Sequence, residues 1–140
     1  MPKTFKLSII TPEHSFFEDD VEMLVFDSAD GEIGVLPGHE PMIVAMEDGE
    51  IRIRLKGGAW RDAATSRGFA TIRPQEVLLL TQTAEWPEEI DVRRAEEDRY
   101  RAQEQLRQRA SLREYHLART SLSRAMARLR VVNRHNINGN

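Results

Sequence analysis

Two hydrophobic periods divide the chain. In the first part apolar residues alternate with polar ones, the period of strands with one buried face. Phe5, Leu7 and Ile9 alternate until Thr11-Pro12 ends the run, and Val21, Met23 and Val25 alternate until the turn at Ser28 to Gly31. Ile51, Ile53 and Leu55 alternate with Arg52, Arg54 and Lys56. Gly57-Gly58 follows and Trp60 opens the return strand, which predicts a hairpin. Phe69 to Ile72 and Val77 to Thr81 flank Arg73-Pro74-Gln75, a second tight connection. Short strands with frequent turns predict an antiparallel β-sandwich over residues 1–87, and the lack of intervening helical segments argues against a parallel α/β sheet.

Residues 88–140 carry a different period. Ile90 to Ala110 is predicted as one helix with Asp91 as N-cap and Ala95, Ala102, Leu106 and Ala110 on one face. Ser111-Leu112-Arg113-Glu114 is a capping box that starts a second helix. Its seam is Tyr115, Ala118, Leu122, Ala125, Leu129 and Val132, and residues 133–140 are expected to fray. The predicted fold is thus an N-terminal antiparallel β-sandwich followed by a C-terminal α-helical hairpin. A seam so rich in alanine buries little apolar area, so the hairpin is expected to be marginal alone and to act as a conformational element.

Charge splits at nearly the same place. Residues 1–91 hold 8 Lys+Arg against 18 Asp+Glu, whereas residues 92–140 hold 12 arginines against 5 acids. The overall −3 therefore conceals an acidic half and a basic half. There is no cysteine, so thiolate chemistry and disulfides are absent. No apolar run approaches the ~20 residues of a membrane-spanning helix, and the N-terminus lacks a signal-peptide pattern, so a soluble cytoplasmic chain without membrane insertion is expected.

Candidate chemistry is sparse. His14, His39, His116 and His135 show no metal-ligand spacing, no catalytic constellation is visible, and neither a metal site nor independent enzymatic activity is expected. The acidic whole, with only Tyr100 and Tyr115 among the arginines of the tail, argues against a nucleic-acid binder. The loop Gly31 to Pro41 lacks P-loop residues; it is either a bent edge strand with a tight turn or a contact loop with His39 exposed at its tip. Arg94 and Arg101 share a helical face beside Asp91, and Arg124 and Arg128 lie one turn apart on the second helix. They form either a solvated face, with Glu97 and Arg101 paired at i, i+4, or an anion cradle once the helices fold together.

The order and spacing of several segments resemble the epsilon subunit of bacterial F-type ATP synthase over nearly the whole chain. They are TPE at Thr11 to Glu13, EDDVEM at Glu18 to Met23, GEIGVLPGHEP at Gly31 to Pro41, RGFATIRPQEV at Arg67 to Val77, IDVRRA at Ile90 to Ala95 and SRAMARL at Ser123 to Leu129. The resemblance implies a non-catalytic central-stalk subunit at the cytoplasmic face of the cell membrane. Its partners would be the gamma subunit and the c-ring, with Glu32 and His39 near that contact, and the alpha/beta head when the helices extend and inhibit ATP hydrolysis. It also implies ATP as a regulatory ligand of the folded hairpin, with no required cofactor. Ile90, Asp91 and Arg94 match the family's binding motif, and Glu85, Arg101, Arg124 and Arg128 fall on the other positions of that site. A purely structural coupler without nucleotide is the alternative.

Overall fold

A computed structural model describes residues 3–108 and 111–138. Eight strands precede two helices: β1 (Phe5–Ile10), β2 (Ser15–Ser28), β3 (Gly31–Val35), β4 (Met42–Leu55), β5 (Trp60–Thr65), β6 (Gly68–Ile72), β7 (Glu76–Thr81), β8 (Ala84–Glu85), α1 (Val92–Gln108) and α2 (Leu112–Asn138). The strand order is β3-β2-β1-β7-β6-β4-β5-β8, and an added β2–β4 pairing closes the sheet on itself. The long strands β2 and β4 each take part in both layers, so the result is a flattened, closed sandwich. Every pairing is antiparallel except β1–β7, which is parallel. That exception follows from topology, because β1 and β7 lie far apart in sequence and no hairpin joins them.

The core matches the alternation in β1, where Phe5, Leu7 and Ile9 are buried, and in β4, where Ile51 and Ile53 are buried. In β2 it departs from the simple reading. Val21 pairs with Leu55, the register then slips, and Met23 pairs with Arg54. The bulge moves the inward phase by one residue, so Leu24 and Phe26 fill the core while Met23 and Val25 face outward, half-buried. The predicted Gly57-Gly58 hairpin is present; both glycines take positive φ, 101° and 96°, which few other residues tolerate.

The helices pack as an antiparallel pair, with α1 resting chiefly on α2 and α2 lying across β4 and β5. Ala95 and Ala102 of α1 and Ala118 and Ala125 of α2 are buried. A second face of α2 meets the sandwich, where Val131 is buried with Ala64 and Ile90. Helix α2 runs to Asn138, so the expected fraying from residue 133 is not observed. The reason is tertiary: Arg134 is clamped by Glu50 and Asp62. The seam residue Ala110 and the terminal Gly139 lie outside the described residues.

Candidate functional site

The connector between the two halves sets the position of the site. Trp86 stacks on Phe16 at 4.3 Å between ring centroids, and the Arg61 guanidinium lies 3.4 Å from the Trp86 ring centroid. Pro87 is buried at the start of a 3-10 turn, Pro87–Glu89, and the Trp86 N–H donates to Glu89 Oε1 at 2.8 Å. The two residues thus pin the connector to the sandwich. Asp91 then caps α1, its Oδ1 accepting from the Arg94 N–H at 3.1 Å.

Above this connector, clefts open between α1, α2 and β8. One, of about 310 Å³, is lined by Glu85, Glu89, Asp91, Arg94, Asp98 and Arg128. The next, of about 170 Å³, is lined by Asp98, Arg101, Arg124 and Arg128 together with small and polar residues of both helices. Arg94 and Arg101 also share the outer surface of α1. Folding therefore gathers Glu85, Asp91, Arg94, Arg101, Arg124 and Arg128 around adjoining cavities. The side chain of Ile90 does not line them; it is buried against the sandwich–α2 contact.

Partners distinguish the arginines. Arg128 Nε donates to Glu85 Oε1 at 2.6 Å, linking α2 to β8. Arg124 Nε donates to Asp48 Oδ1 at 2.9 Å, and Arg67 holds the same carboxylate through its backbone N–H at 2.8 Å and its guanidinium at 3.3 Å. The Asp48 side chain is only 4% exposed. Burial alone would push its carboxyl up; the bonds from Arg124 and Arg67 and their charges outweigh this and hold it below the ordinary value. Arg101 pairs with Asp98 at 3.1 Å, while Glu97 pairs with Arg93, so the Glu97–Arg101 pair of the solvated-face alternative is not formed. The Arg94 guanidinium makes no ion pair among the described residues.

Elsewhere, Gly31–Val35 is an edge strand followed by a tight turn in which Gly38 takes φ 84° and its N–H donates to the Pro74 carbonyl at 2.8 Å. Glu32 is exposed opposite Asp27 near the start of β3. His39 is half-buried beyond the other end, with Nδ1 2.8 Å from the Glu40 carbonyl. The strand-and-turn reading of this loop holds, and an exposed tip histidine does not.

One surface was missed from the sequence. Ile10, Leu80 and Phe69 are register partners across β1, β7 and β6, and with Ile43 they leave an apolar strip facing solvent. Ile10, Phe69 and Leu80 also line a groove of about 780 Å³. The available signal was an apolar residue out of phase with the buried ones: Phe69 beside Ala70, and Leu80 beside Leu79. Among the described residues, no helix is long and apolar enough to cross a membrane and no side-chain cluster could hold a metal ion.

A closed sandwich carrying a docked helix pair matches one family along its length. The model of the ATP synthase delta/epsilon chain beta-sandwich domain matches residues 4–87, and that of its long alpha-helix domain matches residues 88–133. The chain belongs to the ATP synthase delta/epsilon-chain family and is a non-catalytic subunit of that multi-subunit enzyme. Its relatives include an ATP synthase epsilon chain of Ruminiclostridium cellulolyticum, 46% identical over 94% of this chain and 97% of the relative. Another, from Caldanaerobacter subterraneus subsp. tengcongensis, is 40% identical over 96% of this chain and 98% of the relative. Among solved structures, a chain of the Euglena gracilis mitochondrial ATP synthase (OSCP/F1/c-ring) superposes with a TM-score of 0.81 at 22% identity. The alignment covers 91% of this chain and 80% of that one, a likeness of fold.

Proposed function

We propose that this chain is the epsilon subunit of the rotor of a bacterial F-type ATP synthase, at the cytoplasmic face of the membrane. It joins the gamma subunit to the c-ring and carries a helix pair that restrains ATP hydrolysis when it leaves the sandwich. The apolar strip of Ile10, Leu80 and Phe69 suits burial against gamma, and the β3 edge and following turn, with Glu32 and His39, suit the c-ring side. ATP binds the docked helices and holds them down, with Arg94, Arg101, Arg124 and Arg128 toward the phosphates. Released, the arginine-rich helices would meet acidic surface of the alpha/beta head.

The observation that carries the nucleotide reading is the convergence of these four arginines on adjoining clefts between the helices and β8. Four cations so placed repel unless carboxylates or an anion lie between them, and guanidinium suits phosphate. Because such a ligand binds only the docked form, it stabilises that form by RT ln(1 + [L]/Kd). Calorimetric titration with ATP tests the reading: saturable binding is expected, weakened at least about tenfold by Arg94→Ala or Arg128→Ala, as loss of a charge-assisted contact implies. Absence of heat and of helix protection on adding ATP would leave the structural coupler. That alternative draws support from Arg124 and Arg128, whose charges are already met by Asp48 and Glu85.

A further inference from the structure

Four carboxylates line the larger cleft, and three of them hold the fold. Glu85 takes the Arg128 guanidinium and ties α2 to β8. Glu89 closes the connector through the Trp86 N–H. Asp91 caps α1. Among the described residues Asp98 ties no two elements together; its ion-pair partner there is Arg101, three residues on along the same helix. Yet Asp98 is the residue common to the cleft beside the connector, the cleft between the helices and the outer surface of α1. It sits among the arginines that the nucleotide reading assigns to phosphate.

We infer that Asp98 is an affinity-setting residue of the nucleotide site, an internal competitor for phosphate. This rests on the proposed nucleotide reading. The carboxylate holds Arg101 at 3.1 Å and lowers the repulsion among the guanidiniums. A polyphosphate arriving there must displace Asp98 from Arg101 and then bear a like charge beside it. Both effects weaken binding, and both grow with the charge of the ligand. The Asp98–Arg101 pair thereby gives way, and the site fills, only when nucleotide is abundant. Asp98 would thus set the concentration range over which the subunit responds.

The test is titration of the full chain with ATP, ADP and adenosine, comparing the unaltered protein with Asp98→Asn and Asp98→Glu. Asp98→Asn is expected to tighten ATP binding about three- to fivefold, the size of a partly exposed charge interaction. The gain should be smaller for ADP and absent for adenosine, whereas Asp98→Glu should stay close to the unaltered protein. A change in helix stability alone would shift all three ligands together. If the unaltered chain binds ATP and Asp98→Asn leaves the affinity unchanged or weakens it, or if adenosine gains as much as ATP, the competitor role is wrong and the site stands. If neither the unaltered chain nor Asp98→Asn binds ATP, the site itself is refuted and the competitor role falls with it.

Discussion

Gly68 begins β6 so close to β7 that a Cβ on it would run into the Leu80 carbonyl, a backbone atom with no room to give. The strand pair that carries Phe69 and Leu80 of the apolar strip therefore depends on one missing methyl group. Gly68→Ala is expected to destabilise the sandwich by about 1–3 kcal/mol, read from the midpoint of urea unfolding. The arginines of the nucleotide cleft were legible in the sequence because helical spacing alone places Arg94 with Arg101 and Arg124 with Arg128. The carboxylates that occupy them were less so. Asp48 meets Arg124 across 76 positions of chain, a partnership no local period announces. Asp98 lay in plain view, but the i, i+4 rule favoured Glu97 for Arg101, and the i, i+3 partner took the bond instead.

At the scale of elements, α2 is a helix with two working faces, and the sequence showed only one. The seam through Ala118 and Ala125 is the face on α1 and is small and apolar, so periodicity finds it. The opposite face carries Thr120, Arg124, Arg128, Val131 and Arg134, a mostly polar stripe that hydropathy would assign to solvent. It is instead the face that docks, through Arg67 to Thr120, Arg124 to Asp48, Arg128 to Glu85 and Arg134 to Glu50 and Asp62. The same blindness explains the β2 bulge, since a slipped register leaves residue types unchanged. Arg134 donates from both terminal nitrogens to both oxygens of Glu50, at 2.8 and 2.9 Å, and Glu50 raises its pKa. Arg134→Met keeps the aliphatic stem and removes the fork. Amide-exchange protection over the last turns of α2 should fall about tenfold, equivalent to about 1.4 kcal/mol, with the sandwich strands unaffected. Equal loss in β1 and β7 would show that the clamp holds the whole fold and not the helix end.

Across the whole molecule, the opposed charge of the two halves is a docking device. The acids that α2 meets, Asp48, Glu50, Asp62 and Glu85, all belong to the sandwich half, and the cations that α2 brings to them, Arg124, Arg128 and Arg134, belong to the helical half. With so little apolar area in the helix seams, much of the preference for the docked posture rests on these pairs. Their response to pH follows from Asp48, whose carboxyl faces Arg124 from α2 and Arg67 from the β5–β6 connection. Its folded-state pKa is lowered from 3.8, so its contribution is fully present above that value and is lost as pH falls toward the lowered one. The docked posture should therefore be insensitive to pH between about 5 and 8 and loosen below about 4, where carboxylates of ordinary pKa also begin to protonate. Amide exchange of α2 against β7 across that range measures it directly. In Asp48→Asn the part of the acid loosening that comes from this carboxyl should disappear, and the helix pair should already be less protected at neutral pH. A helix pair that undocks between pH 6 and 7 would contradict the assignment, because it would require a titrating group other than the carboxylates that face α2 here.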